Sequence, residues 1–207
     1  ARAVAGVVAV VRDGSFIGVI AETEAAAEAG LAALRKGAAW SAGMGLPDEA
    51  KLSAWLKSQP VETTTVEERK PSAPAQVART VRRQYSRPFI AHASMAPSCA
   101  IAQWPAPDKV HIWSHCQGVY NLRADLTLAL KLPEESITVQ HVEGAGCYGH
   151  NGADDAAADA AAVAMQRPGT PVRVRWRREE EFGFEPVSTA MVTTVRAVLD
   201  ANGRPAD

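Results

Sequence analysis

Two strand–turn–helix passages follow one another between residues 108 and 166, and they restrict the fold more than any other feature of the sequence. The first reads DKVHIWSHCQGVYNLRADLTLALKL, an alternating apolar run followed by apolar residues at helical spacing. The second reads SITVQHVEGAGCYGHNGADDAAADAAAVAMQ, a short strand, a glycine-rich turn and an alanine-rich helix. Helices that alternate with strands pack as layers on a sheet, so we expect an α+β fold with a mixed sheet.

The helix of the first passage is predicted by one apolar face, which comprises Val119, Leu122, Leu126, Ala129 and Leu130. Two further elements precede it. Asp13-Gly14 joins two Val/Ile-rich runs and predicts a β-hairpin. ETEAAAEAGLAALRKG carries acid early, base late and a terminal glycine, which predicts a helix.

Other segments are shorter or less regular. DEAKLSAWLKSQ predicts a short helix, while SCAIAQWPAP, TPVRVRWRREEEF and STAMVTTVRAVLDANG predict strands, the last ending in a turn. Residues 60–87 show no periodicity, so we interpret them as a connecting segment. Arg177, Arg178 and the adjoining glutamates are expected to form surface ion pairs, and His92 to be a structural histidine.

Composition narrows the classes of function. The 207 residues carry a net charge of -1, which argues against broad nucleic-acid or membrane-surface binding because both usually require excess base. No apolar run approaches the roughly 20 residues of a membrane span. Three cysteines are too few and scattered for a disulfide framework, so we expect a reducing compartment, the cytoplasm first, with periplasmic or membrane-peripheral placement left open.

The glycine-rich turn from Gly144 to Gly149 is the first candidate site. Glycine lets the backbone approach a ligand closely, and the amides at a helix start suit an anionic or oxygen-rich group. Asp154 and Asp155 weaken the case for a bare phosphate because they already satisfy the helix dipole. A tight turn without a ligand remains an alternative, and the spacing matches neither standard phosphate-binding motif.

Gln117 is the second candidate, because it lies where a strand gives way to a helix and could present its amide there; an ordinary polar helix start is the alternative.

A metal site from His115, Cys116, Cys147 and His150 would need both turns together, but the spacing resembles no closed zinc site. Cys147 could also be a nucleophile near a helix start, although no orienting Asp or Asn is evident.

Three segments, in this order, resemble the molybdenum-binding large subunit of the xanthine oxidase and aldehyde oxidase family, nearest to the nicotinate dehydrogenase and isoquinoline oxidoreductase type. They are AGVVAVVRDGSFIGVIAETEAAAEAGLAAL, RPFIAHASMAPSCAIAQW and the block from Val110 to Phe182. The segment from Trp40 to Tyr85 matches only loosely. The resemblance implies the end of a hammerhead-like α/β domain at residues 1–58, a linker at 59–86 and the start of the molybdopterin-binding domain at 87–207.

The resemblance also implies roles for individual residues. Gln117 falls where the family places a glutamine beside the metal's oxo ligand, and Asn151 falls at a substrate-contacting position. The stretch expected to contact the cofactor comprises Gly144, Ala145, Gly146, Cys147, Tyr148 and Gly149. No side chain of the chain is expected to ligate the metal, because in the family the pterin sulfurs do so.

Two departures stand out. Cys147 replaces a usual aromatic residue, and Asn151 replaces the glutamate of xanthine-oxidising members, which makes purine recognition doubtful. The family's catalytic glutamate lies beyond the matched region, so we expect the chain to be a fragment that is inactive alone. Both ends look cut: the first residues already read as a strand.

The resemblance therefore implies part of an oxidoreductase that hydroxylates a carbon of a nitrogen heteroaromatic ring, or oxidises an aldehyde, with water as oxygen source. The implied cofactor is molybdopterin cytosine dinucleotide, with iron–sulfur clusters on a small partner subunit. The remainder of the large subunit would complete the site. The alternative is a non-catalytic α+β binding or assembly module that uses the glycine-rich turn for an anion or a partner.

Overall fold

The computed structural model describes residues 1–41, 43, 45–69, 77–144, 146–149 and 155–205, and these form two compact units. Unit 1 comprises residues 1–41 and 91–187, and unit 2 comprises residues 42–90 and 188–207. This grouping differs from the expected division at residues 58 and 86. The assignment of a hammerhead-like part and a molybdopterin-binding part to those ranges stays a prediction, because compactness alone identifies neither.

Unit 1 contains most of the secondary structure. Its strands are β1 (Val7–Asp13), β2 (Phe16–Ala21), β4 (Cys99–Ala106), β5 (Lys109–Ser114), β6 (Ile137–His141) and β7 (Val172–Arg175). Its helices are α1 (Glu24–Gly37), α3 (Val119–Leu130), α4 (Asp155–Ala164) and α5 (Arg178–Phe184). Unit 2 contains α2 (Leu52–Ser58), preceded by a 3-10 turn at Glu49–Lys51, and strands β3 (Arg79–Arg87) and β8 (Met191–Leu199).

A four-stranded sheet of order β6-β5-β4-β7 organises unit 1, and it is mixed: β5 and β6 are parallel, and the other pairs are antiparallel. Its core follows the alternation of the sequence, since Ala100, Ala102 and Trp104 of β4 are all buried. Each fully buried large apolar side chain in such a core stabilises the fold by about 1.5–3 kcal/mol. The expected α+β architecture is confirmed at the level of sheets and helices.

Helices α3 and α4 bury one face each. Leu122 and Leu126 of α3 are buried as expected, whereas Ala129, predicted on the same face, is exposed. On α4, alanines form the buried face, so the helix lies close to the sheet, and the Trp104 indole N–H donates to the Ala161 carbonyl at 2.9 Å. The N-terminal hairpin and α1 occur as predicted, with Gly30 of α1 packed tightly against Val19.

Two predictions about the strands are wrong. Residues 79–87 form β3, within the range interpreted as a connecting segment, and pair antiparallel with β8 from Arg79↔Leu199 to Arg87↔Met191. The predicted strand from Thr170 to Phe182 ends after four residues, and α5 takes its second half. The glutamates there are not all in surface ion pairs, because Glu181 is fully buried.

Candidate functional site

The two strand-to-helix turns lie together at one edge of the sheet of unit 1. Because β5 and β6 are parallel, with Ser114 opposite His141, their carboxyl ends meet at this edge. The Val142 amide extends the pairing by donating to the Ser114 carbonyl at 2.9 Å. The two turns are therefore neighbours, which is the arrangement that the metal hypothesis required.

The first turn, residues 114–118, is held mainly by bonds inside the edge itself. Ser114 and Cys116 are buried, and the Cys116 amide donates to the Ser114 hydroxyl at 3.2 Å. The Cys116 carbonyl lies 2.9 Å from Nδ1 of His141 on the next strand. Gly118 then begins α3 without a side-chain cap. This turn leaves the Gln117 side chain exposed at the edge.

Gln117 joins the two turns directly. The Cys147 thiol donates to Oε1 of Gln117 at 2.8 Å, across thirty positions of sequence. Since the amide oxygen faces the thiol, the NH₂ end of Gln117 points away from Cys147 and has no hydrogen-bond partner among the described residues. The first turn can therefore present an amide donor beside the glycine-rich turn.

The glycine segment, which is residue 144 together with residues 146–149, is exposed but packs closely on two histidines. A Cβ on Gly144 would lie 2.5 Å from Cβ of His115, and a Cβ on Gly149 would lie 2.4 Å from the His92 imidazole. Gly149 also has φ +128°, a conformation that L side chains rarely adopt. Small residues are thus required by the chain's own packing. Ala145 and Asn151 lie outside the described residues.

His115 also borders a cleft of about 620 Å³ on unit 1, whose lining includes Ile101, Trp113 and Gly144. Nε2 of His115 accepts a hydrogen bond from the Cys99 amide at 3.2 Å. Burial raises the pKa of the Cys99 thiol, an effect that nearby Arg173 and Arg175 partly oppose.

The glycine segment and this cleft fit a flat, bulky organic cofactor of the kind that the resemblance implies. The cleft falls within the usual volume range of small-molecule sites, about 300–1,000 Å³. The backbone from Gly146 to Gly149 and the Tyr148 side chain are exposed and could contact such a molecule. Gln117 could donate to an oxygen atom of the same molecule, since its NH₂ end is directed away from the thiol.

The other site hypotheses gain less from the structure. Among the described residues, no group of three or more His, Cys, Asp or Glu side chains is placed to hold a metal ion. His150, a member of the considered metal set, lies outside the described residues. Cys147 is exposed and donates its thiol hydrogen to Gln117, and its role as a nucleophile stays a prediction. In the part of the chain that the structure describes, no helix has the length and apolarity to cross a membrane.

The sequence placed neither of the two histidines against the glycine segment, although it predicted His92 to be a structural histidine. His115 directly follows β5, so the strand-end argument that selected Gln117 could also have placed His115 at the turn, where it was weighed only as a metal ligand. His92 carries no comparable signal, because it meets Gly149 only through the tertiary fold.

Comparison with known proteins supports the resemblance. A family model described as "Molybdopterin cofactor-binding domain" matches residues 58–206. A subunit of nicotinate dehydrogenase from Pseudomonas putida is 38% identical over 203 residues, which cover 96% of this chain. The gamma subunit of the 6-hydroxypseudooxynicotine dehydrogenase complex from Paenarthrobacter nicotinovorans is 28% identical over 131 residues, 63% of this chain. The matches span 17% and 16% of those relatives' own lengths.

Solved structures share the fold. Aldehyde oxidoreductase from Desulfovibrio gigas superposes with a TM-score of 0.54 over 61% of this chain and 14% of its own, at 18% identity. Quinoline 2-oxidoreductase from Pseudomonas putida 86 gives 0.51 over 63% of this chain and 17% of its own, at 20% identity. With the family model matching well over half of the residues, the chain belongs to the molybdopterin cofactor-binding domain family.

Proposed function

We propose that this chain forms part of the cofactor-binding region of a molybdenum hydroxylase that hydroxylates a carbon of a nitrogen heteroaromatic ring or oxidises an aldehyde. The observation that carries the proposal is the 2.8 Å contact between Gln117 and Cys147, which joins the two turns in a chain of this family. The relatives named nicotinate dehydrogenase and quinoline 2-oxidoreductase support the heteroaromatic class of substrate, and the aldehyde oxidoreductase supports the other class.

Within this proposal, the chain's residues bind and orient. The backbone of Gly144 and Gly146–Gly149 lies against the cofactor, with Ala145 and the side chains of Cys147 and Tyr148 in the same stretch. Because the Cys147 thiol occupies the amide oxygen of Gln117, the NH₂ group of Gln117 would be the end that donates a hydrogen bond to the cofactor. Asn151 contacts substrate. When bound, the cofactor supplies two-electron oxidation with an oxygen atom that originates in water.

We further propose the cytosine dinucleotide form of the cofactor, iron–sulfur clusters on a small partner subunit as electron acceptors, and a cytoplasmic location. Both sequence relatives are named as single subunits, and one of them as part of a complex, which supports assembly with other subunits. The remainder of a large subunit would complete the site, since the matched region is a small share of each relative.

The test uses the full-length protein with its natural partner subunits, produced in a host that synthesises the cofactor. We expect about one molybdenum and one pterin per large subunit, and incorporation of ¹⁸O from labelled water into hydroxylated nicotinate or another heteroaromatic acid. Gln117→Ala should lower kcat by about 10²-fold with molybdenum content retained, since a lost transition-state donor costs about that much. Gln166→Ala, an exposed glutamine after α4, is the matched control and should change nothing.

Two results would overturn the proposal. A native protein devoid of molybdenum from such a host would remove the cofactor assignment. Equal kcat in wild type and Gln117→Ala, at equal molybdenum content, would remove the role of the amide.

A further inference from the structure

Three side chains contact the glycine segment, and two of them belong to the first turn, residues 114–118. His115 packs on Gly144, and Gln117 contacts Cys147. The third, His92, comes from the loop that precedes β4. Its imidazole fills the space that a Cβ on Gly149 would need, with Cδ2 and Nε2 both 2.4 Å from that point.

Glu185 fixes the opposite side of His92. Its Oε1 accepts the His92 backbone N–H at 3.1 Å, and its Oε2 lies 4.0 Å from Nδ1 of the ring. The Glu185 side chain has no solvent exposure, and the His92 side chain only 18%. The first contact is a hydrogen bond and the second is too long to be one, so Glu185 fixes the backbone of His92 while its other oxygen faces the ring.

Helix α5 also fixes the rest of the loop that carries His92. Glu181, fully buried, accepts from the Ser98 amide at 2.7 Å and from the Ser98 hydroxyl at 3.1 Å. Arg178 donates to the carbonyls of Ser94 and Met95 at 2.7 and 2.8 Å. Since Glu185, which directly follows α5, binds one end of the loop and Glu181 of α5 binds the other, the His92 ring has little freedom to leave Gly149.

We propose that His92, held by Glu185, is a positioning residue that keeps Gly149 in its left-handed conformation and thereby sets the glycine segment for the cofactor. The effect on the cofactor rests on the proposed function, whereas the effect on Gly149 does not. Glycine adopts a positive φ without strain but is also free to leave it, so the φ of +128° at Gly149 depends on what its backbone packs against. The His92 ring supplies that packing surface, because it occupies the space where a Cβ on residue 149 would lie and so packs directly against the backbone there. His92 touches neither substrate nor cofactor in this role.

The test compares two amide replacements in the complete protein. His92→Gln retains a polar side chain that reaches the position of Nε2 beside Gly149. His92→Asn retains the atom that faces Glu185 but ends short of Gly149. Hydrogen–deuterium exchange of the peptide containing residues 146–149 reports the local opening of the glycine segment. We expect exchange about tenfold faster in His92→Asn and within about threefold of wild type in His92→Gln. A peptide from α3 serves as the internal reference.

If His92→Asn does not fold, Glu185→Gln tests whether the held His92 ring restrains the glycine segment. The amide oxygen can still accept the His92 N–H, so the loop stays in place while the charge that faces the ring is lost. We expect about threefold faster exchange in the glycine segment, with α3 unchanged. Wild-type exchange in every variant that folds would overturn the proposal, and so would equal acceleration in His92→Asn and His92→Gln.

Cofactor retention provides the second readout and separates this proposal from the proposed function. His92→Asn should release molybdenum and pterin about tenfold faster than His92→Gln during dialysis. If wild-type protein contains no molybdopterin, the proposed function fails, while the exchange difference between the two variants still tests His92. If wild type contains the cofactor and both variants retain it equally, with unchanged exchange, only the role of His92 is lost.

Discussion

The two strand-to-helix turns of unit 1 share one edge of a sheet but are stabilised in different ways. In the first turn, buried Ser114 and Cys116 are bonded to each other and to the next strand. In the second turn, an exposed glycine segment rests on side chains that come from elsewhere, among them His115 and His92. The first turn is therefore fixed by the pairing of β5 with β6, whereas the second depends on tertiary neighbours and can be changed without unfolding the sheet.

This difference suits a cofactor-binding edge. A rigid turn holds the amide of Gln117 at a constant position relative to the sheet. A second turn built from glycine would let the backbone approach a ligand closely, but such a turn needs support from other segments. Substitutions that remove this support should affect the second turn first and leave the first turn in place.

Gly149→Ala should have the largest effect. Alanine at this position would combine an unfavourable φ with a Cβ 2.4 Å from the His92 ring, which together cost about 4 kcal/mol. We expect the exposed segment to open locally rather than bear this cost, so the variant should bind little cofactor, as measured by molybdenum content, with a small change in melting temperature. Gly169→Ala is the control, since Gly169 has φ +79° with open space around it. Equal losses in both variants would attribute the effect to backbone strain alone.

Glu181→Ala should come second and act on stability. The substitution leaves the Ser98 amide and hydroxyl buried without the two oxygens that they now donate to, which costs about 3 kcal/mol. Denaturant unfolding of the complete protein would measure the loss. Glu179→Ala removes an exposed carboxylate from the same helix and should cost less than about 0.5 kcal/mol. A small cost for Glu181→Ala would mean that α5 does not hold the loop before β4.

The parts of the structure with a regular sequence pattern could be predicted, whereas the parts that depend on tertiary contacts could not. The strands β5 and β6 and the helices after them have regular apolar periodicity, so their order and the meeting of their turns were predictable. The strand β3 was not, because its side chains are nearly all exposed and its partner β8 begins about a hundred positions later. Without one buried face, a strand leaves no alternation to detect.

The supports of the glycine segment were unpredictable for a related reason. Glu181 stands in a run of charged residues, the usual signature of a solvated surface, yet its partner Ser98 lies 83 positions earlier and draws it into the interior. His92 and Gly149 likewise meet only through the fold. The sequence attributed these glycines either to a ligand or to a tight turn, whereas the structure shows that packing against His115 and His92 requires two of them.

Ser114→Ala should destabilise the first turn only slightly. The Cys116 amide loses the hydroxyl oxygen 3.2 Å away, at an expected cost of about 1 kcal/mol. The backbone bond from Val142 to the Ser114 carbonyl remains, so the register of β5 and β6 should persist. Thermal unfolding should show the loss, while exchange in the glycine segment stays at the wild-type rate. Ser15→Ala, in the exposed hairpin turn, is the neutral reference. Faster exchange in the glycine segment would show that the two turns are coupled more strongly than their contacts suggest.

The smallest effect should be a pH dependence confined to the helix after the second turn. Burial raises the pKa of Asp159 on α4 above its ordinary value of 3.8, with smaller contributions from Asp155 and Glu180, against the opposing hydrogen bond from the Trp176 indole. The folded state therefore binds the proton more tightly than the unfolded state. The resulting stabilisation is fully present below pH 3.8 and is lost as the pH rises through the raised pKa.

Asp159→Asn imitates the protonated form, because its amide oxygen can still accept from Trp176. At pH 7 the variant should melt about 1–2 °C above wild type, a small change because Asp159 is only partly buried. Near pH 4 the difference should shrink toward zero. Asp125→Asn, on the exposed side of the helix after the first turn, should show no such convergence. A constant offset at both pH values, or a less stable Asp159→Asn at pH 7, would mean that the Trp176 hydrogen bond outweighs burial and that the carboxylate stabilises α4.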